Sequence, residues 1–261
     1  MDNESLPVSA RRPRRLWRGV PELVLTAAFS AFVAWQVVTT RLPEEARELQ
    51  TRFGTERNSE GIEEWIVRDF FKDRRDGFFV DVGANHFKKH SNTYFLETAL
   101  NWSGIAVEPL AAFAAEYQQF RPRTRFRPFY VSDVSNAEAK LYLLPSNHLV
   151  TSSDKSFTNR YGSGATEVTA PTITLNDLLD ADGVESFDFM SMDIELSEPK
   201  ALAGLDIRRF KPELVGIEAH PEVRQQIVDY FAVNGYVVLG RYLRADHRNL
   251  WFTPLAHHSS E

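Results

Sequence analysis

The stretch that most constrains this chain is FFVDVGANHFKKHSNTYFLETALNWSGIAVEP, which runs from Phe78 to Pro109. An apolar run, Phe78-Phe79-Val80, leads into Asp81-Val82-Gly83-Ala84-Asn85, and a second run, Gly104-Ile105-Ala106-Val107, ends in Glu108-Pro109. A short apolar strand, a glycine turn, a helical interval and a second strand tipped by a carboxylate make one βαβ unit. Units of this kind bind nucleotides: the glycine lets the backbone approach the ligand, and the acidic strand tip accepts hydrogen bonds from ribose hydroxyls. Asp81, Gly83, Asn85 and Glu108 are therefore the first candidate cofactor-binding residues. The turn lacks the GxGxxG pattern and so does not specify a dinucleotide, and a lone glycine also closes an ordinary tight turn.

With 261 residues and 43% hydrophobic content, the chain is long enough for one α/β domain and an appendage. A net charge of -6 leaves no basic surplus for nucleic acid. The absence of cysteine excludes disulfides, thiolate nucleophiles and cysteine-ligated zinc.

Residues 1–19 read as a disordered, basic N-terminus with Arg11, Arg12, Arg14, Arg15 and Arg18. Residues 20–40 contain the uncharged run from Leu23 to Val38, with Trp17 and Trp35 near its ends. That run is short of the roughly 20 residues a membrane span needs, and Val20 and Thr39-Thr40 extend it. The expectation is a transmembrane or membrane-associated helix, with a helix packed on the domain or on a second copy as the alternative. The arginines argue for a cytoplasmic N-terminus, which would place the rest outside. Arg41, Arg47 and Arg52 weaken that asymmetry, and the expectation is a cytoplasmic catalytic domain. Residues 41–59 read as a charged connector, 60–255 as the catalytic domain, and 256–261 as a disordered tail. Ser59 to Phe71 reads as an amphipathic helix covering the sheet.

Past the first unit, Phe126 to Val131 reads as a third strand ending at Ser132-Asp133, and Ala139 to Leu144 as an extra strand. From Pro145 to Ala170 the chain is rich in Ser, Thr, Asn and Gly, and Arg160 lies within it; the expectation is a substrate lid. Thr174 is followed by a helix with Asn176 or Asp177 as its cap. Phe187 to Asp193 is a central strand, with Glu195 and Glu198 just beyond it. A further strand, Leu214 to Ile217, ends in Glu218-Ala219-His220. Tyr236 to Leu243 and Leu250-Trp251-Phe252 form a closing hairpin whose turn, Arg244 to Asn249, lies near the crevice. Strand-end carboxylates on an open parallel sheet face the ligand crevice.

The FVDVGAN turn, the EP strand end and the run Asp193-Ile194-Glu195-Leu196-Ser197-Glu198 resemble the FkbM-type S-adenosylmethionine-dependent methyltransferases. The likeness runs from about Gly77 to Pro254. It implies an α/β fold of class I, Rossmann-like type, with a seven-stranded, mostly parallel sheet and helices on both faces. The implied cofactor is S-adenosylmethionine, with Ser132 and Asp133 near the adenine and Asp193 also at the cofactor. The implied reaction is O-methylation of a hydroxyl on a saccharide, a lipid-linked glycan or a secondary metabolite. The chain departs from the family pattern at two glycine positions, now Phe87 and Leu196.

Removal of the acceptor proton needs a base, Asp193 or His220, or a divalent cation such as magnesium on Asp193, Glu218 and His220. His86, Arg160, Glu195 and Glu198 are the candidate acceptor-binding residues, and the expected partners are a small-molecule or glycan acceptor and the membrane. Two other classes stay open. One is a membrane-bound, glycosyltransferase-like nucleotide-sugar enzyme on a similar sheet; the other is a non-catalytic membrane scaffold, which the two substituted glycines favour.

Overall fold

In a computed structural model, the described residues are 42–145 and 147–255. The chain divides into the units Met1–Leu42 and Pro43–Glu261, and the residues from Pro43 on belong to the second. The predicted membrane segment 20–40, the basic N-terminus 1–19 and the tail 256–261 lie outside the described residues. Among those described, no helix is long and apolar enough to cross a membrane.

The expected connector begins with a helix, α1 (Glu44–Phe53), whose Ala46 and Leu49 are buried and whose Arg52 pairs with Asp69 at 2.6 Å. Helix α2 (Glu63–Phe71) follows, then strand β1 (Phe78–Val82), helix α3 (Tyr94–Leu100), strand β2 (Ser103–Val107), helix α4 (Ala114–Phe120) and strand β3 (Thr124–Arg127). Strands β4 (Tyr130–Val131), β5 (Glu138–Leu144) and β6 (Asn147–Ser152), the short helix α5 (Lys155–Thr158) and strand β7 (Thr166–Ile173) come next. The chain closes with α6 (Leu175–Ala181), β8 (Phe189–Met192), α7 (Glu198–Ala203), α8 (Ile207–Phe210), β9 (Leu214–Glu218), α9 (Arg224–Val233), β10 (Tyr236–Val238) and β11 (Asn249–Pro254).

Seven strands form the main sheet in the order β10-β11-β9-β8-β1-β2-β3. Those from β9 to β3 run parallel; β11 lies antiparallel to β9 and to β10, so β10 runs in the direction of the parallel strands. The mostly parallel seven-stranded sheet that the family resemblance implies is thus observed. Alternation along the strands splits the core between two faces. Val80, Val82, Met190, Met192, Val215 and Ile217 pack with Leu178, Ala201, Phe210, Ile227 and Phe231 from α6 to α9. On the opposite face Ala106 packs with Tyr117 of α4, and buried side chains of α2 and α3 include Trp65 and Leu96. Each fully buried side chain of this size contributes roughly 1.5–3 kcal/mol.

Three expectations are corrected. Phe126 to Val131 is not one strand: Pro128 cannot donate to a ladder, and the chain breaks there, leaving β3 in the main sheet and β4 in a second. That second sheet, ordered β4-β7-β5-β6, takes up Asn147–Ser152 and the start of Thr166–Ile173 within the stretch expected to be a substrate lid. The cap of α6 is Thr174, whose Oγ1 accepts from the Asp177 N–H at 3.1 Å, not Asn176 or Asp177.

A buried arginine ties the first βαβ unit together. Arg121 is fully buried; it donates from Nε to Glu97, from Nη1 to the Phe87 carbonyl at 2.8 Å and from Nη2 to the Thr93 carbonyl at 3.2 Å. Glu97 also accepts from Thr124 and from the Arg123 N–H at 2.8 Å. Removing one partner of such a pair leaves the other charge buried and uncompensated. Arg121→Ala is expected to lower unfolding free energy by about 3–5 kcal/mol in urea titration. A loss within about 1 kcal/mol, typical of exposed pairs, would contradict this reading.

Candidate active site

Strand ends of the main sheet build the site. After β1 the chain turns at Gly83, with φ at 84°. A Cβ on Gly83 would stand 1.9 Å from the Asp193 carbonyl oxygen, so only glycine lets the ends of β1 and β8 close up this far. Asn85 is also left-handed, at φ 47°, a conformation that asparagine tolerates. Its N–H donates to Glu108 Oε2 at 3.2 Å, and the Leu110 N–H donates to Oε1 at 2.9 Å. Glu108 is thereby held at the tip of β2. Deeper in, Asp81 accepts from Thr93 Oγ1 at 2.7 Å.

A cleft of about 330 Å³ opens over Asp81, Gly83, Asp193, Glu195, Glu218 and His220. Past Gly83, Asn85 and Leu149 it continues into a narrower slot of about 40 Å³, with Glu108 and Pro109 facing Tyr130, Val131 and Leu141. The structure therefore brings together Asp81, Gly83, Asn85, Glu108, Asp193, Glu195, Glu218 and His220.

At the open end, His220 Nε2 lies 3.0 Å from Glu218 Oε2 and 3.3 Å from Glu195 Oε2. Burial pushes the carboxyls of Asp193, Glu195 and Glu218 up, and each acid raises its neighbours further. Burial lowers the His220 pKa and so favours the neutral imidazole.

Other predicted site residues fall elsewhere. His86 is turned to the loop: its Nδ1 accepts from the N–H groups of Lys88 and Lys89, both at 3.1 Å. That bond, the Arg121 bond to the Phe87 carbonyl, and Phe87 stacked on His86 and Phe120 close the turn where the family has glycine. Phe87 needs no positive φ there, whereas Leu196 holds one of 74°. Glu198 is fully buried and staples the turn after β8, accepting from the Ile194 N–H at 3.0 Å. Asp133 is exposed beside the buried Ser132, which donates to it at 3.0 Å, so neither lines the slot; β4 has left the main sheet and Tyr130 and Val131 stand there instead. Arg160 is exposed and paired with Glu222 at 2.7 Å, away from the cleft.

Sequence reasoning missed Glu60, Glu63, Asn92 and Arg248, all of which line the cleft. Glu60 and Glu63 fall within the amphipathic helix read over Ser59 to Phe71, which gave them no role in the site. Glu63 is in fact buried, accepting from the Gly61 N–H at 2.8 Å and from Asn249 Nδ2 at 3.1 Å. The turn before β11 had been placed near the crevice, and Asp246 shapes it by accepting from the N–H groups of Arg248 at 3.2 Å and Asn249 at 3.0 Å.

The model of the methyltransferase FkbM domain matches residues 81–238, more than half of the chain. The chain belongs to this family. Its members are S-adenosylmethionine-dependent methyltransferases, and the chain has their class I α/β fold. A comparison with curated proteins finds no significant match. Among solved structures, the chain is similar to a TehB-like S-adenosylmethionine-dependent methyltransferase from Corynebacterium glutamicum, at 11% identity and TM-score 0.43, covering 87% of this chain and 99% of that one. It is also similar to an S-adenosylmethionine-dependent O-methyltransferase from Thermotoga maritima, at 8% identity and TM-score 0.41, covering 82% and 72%. A third is the 1,6-didemethyltoxoflavin-N1-methyltransferase of Burkholderia thailandensis, at 12% identity and TM-score 0.36, covering 95% and 92%.

The residues of this FkbM-family chain fit its cofactor. The slot is lined by Val107, Pro109, Tyr130 and Val131, Glu108 is held there by two N–H groups with oxygens able to accept from a diol, and the hollow a Cβ would fill at Gly83 admits close backbone approach. S-adenosylmethionine would supply an electrophilic methyl on a sulfonium, and a cation bound here would favour ionisation of the Asp81, Glu108 and Asp193 carboxyls, which burial pushes toward the neutral form.

Burial pushes Glu108 up to about 7 from its ordinary 4.5, against the two N–H groups that favour its charge. The protonated form is therefore preferred in the folded protein without cofactor. Its contribution is intact below pH 4.5 and is lost as pH rises through about 7. Glu108→Gln should thus raise stability at pH 8 by about 3 kcal/mol, with little change at pH 4.5. Thermal unfolding at the two pH values tests this; an equal effect at both would contradict it.

Proposed function

We propose that the protein transfers the methyl of S-adenosylmethionine to a hydroxyl oxygen of a polyhydroxylated acceptor, a saccharide, a lipid-linked glycan or a secondary metabolite. The observation that carries this reading is one continuous cleft with Glu108 and Gly83 at one end and a carboxylate–imidazole cluster at the other. The open half offers Glu60, Asn92, Glu218, His220 and Arg248 to an acceptor, a polar set matched to several hydroxyl groups. A sugar hydroxyl is a poor nucleophile until its proton is removed. Transfer forms the acceptor O–C bond and breaks the C–S bond, whose electron pair returns to sulfur. The proton passes to His220 or Asp193 as general base, or a divalent cation on this cluster favours the alkoxide. Holding both partners in line supplies much of the rate.

A lipid-linked or envelope glycan acceptor and attachment to a membrane rest on the apolar run in residues 20–40 of the sequence, and a cytoplasmic catalytic domain rests on Arg41, Arg47 and Arg52 and on a cofactor found in the cytosol.

Two linked measurements test the reading. Calorimetric titration of S-adenosylmethionine should show binding that Glu108→Ala weakens by about 1–3 kcal/mol, as loss of a hydrogen-bonded charge does. Incubation with labelled cofactor and glycan fractions should give a methyl ether, identified by linkage analysis. A folded protein that binds no cofactor, or a product methylated on carbon or nitrogen, would overturn the proposal.

A further inference from the structure

We infer that Glu195, Glu218 and His220 form a site for one divalent metal ion, open to the cleft. The inference deepens the reading above, because the same site would hold the acceptor oxygen. These three residues each offer a ligand atom, and the three atoms lie within 4.8 Å of one another. Adjacent ligands bonded to a cation at about 2.0–2.2 Å stand about 3 Å apart when the bonds are at right angles. The observed distances of 3.0 and 3.3 Å from His220 Nε2 match that edge.

A second observation points to a ligand. Glu218 is 8% exposed, and its Oε2 is buried with no hydrogen-bond partner. That atom meets His220 Nε2 at 3.0 Å without the geometry of a hydrogen bond. A buried carboxylate oxygen left unpaired is costly, and a cation would satisfy it. Charge points the same way. Asp193 and Glu198 add further acid to the cluster, and the guanidinium of Arg248 is already paired with Glu60 at 3.1 Å.

The fold holds the three ligands from separate elements. Glu218 ends β9, and the Ala219 N–H, next to His220, donates to the Arg248 carbonyl at 3.0 Å. Ser152 of β6 donates to the Glu195 carbonyl at 2.7 Å, and the Phe157 ring meets His220 edge-on at 5.1 Å. Asp193, expected from sequence as a ligand, is not among the three residues whose ligand atoms converge. Two carboxylates and one imidazole suit manganese, magnesium or zinc, and the cleft side of His220 leaves positions for water or an acceptor oxygen.

Manganese(II) titration of the full chain, followed by electron paramagnetic resonance, tests the site directly. One ion per chain is expected. Glu195→Gln, Glu218→Gln and His220→Ala should each weaken it by about 10- to 100-fold or more, since even outer partners of a ligand are worth that much. Glu222→Gln, at the surface, should leave binding unchanged. S-adenosylmethionine titration and thermal unfolding of each variant establish that it is folded. No stoichiometric manganese binding by protein that binds cofactor would overturn the site and leave His220 as the counter-ion of the two carboxylates; binding undiminished in all three variants would also overturn it. If manganese binds but no acceptor is methylated on oxygen, the site stands and the proposed reaction falls. If O-methylation continues at full rate in excess chelator, the site's role in the reaction falls.

Discussion

The close approach of two strand ends governs this molecule. Gly83 lies so near the Asp193 carbonyl that any side chain would occupy the same space, and the Asp193 N–H in turn donates to the Val82 carbonyl at 3.0 Å. This contact brings the turn after β1 and the turn after β8 together. Through it, the slot beside Glu108 and the cleft above His220 become two ends of one crevice. A parallel sheet of this kind leaves its crevice outside the carboxyl ends of the strands, and almost every chemically notable side chain here stands at such an end.

The second consequence is electrostatic. Strand tips converge on a small volume, so their carboxylates are drawn out of water and raise one another. Such an arrangement costs stability in the free protein, and a cationic ligand relieves it. In the proposed reaction a sulfonium beside Gly83, and in the proposed metal site a cation at Glu195, Glu218 and His220, would each relieve this imbalance. The strain at Glu195 and Leu196, both left-handed at φ 53° and 74°, belongs to the turn that carries this charge, held by Glu198 from below and Ser152 from above.

The parts of the site legible in sequence were those encoded locally. Asp81, Gly83, Asn85 and Glu108 sit on one βαβ unit, where strand, turn and strand tip can be read in order. Asp193, Glu218 and His220 follow apolar runs that can only be buried strands. What escaped was set by tertiary contact. Polar, serine- and threonine-rich residues from 145 to 170 read as a lid because their pairing partners are distant: β5 pairs with β7 from Glu138↔Pro171 to Leu143↔Thr166. Asp133 was misplaced because Pro128 ends β3 early and sends the chain into the second sheet. Glu63 gave no local signal, because the group that receives it in the core is a distant asparagine, Asn249. Nothing local marks Arg121 as buried, since its partners come from the loop and helix before β2.

The most direct test of the single crevice is a crystal structure of the protein with S-adenosylhomocysteine. The account predicts ribose hydroxyls within hydrogen-bonding distance of Glu108, the base between Pro109 and Tyr130, and the sulfur at Gly83 facing the Asp193–His220 end. A ligand bound away from Glu108, or with its sulfur turned from that cluster, would contradict it.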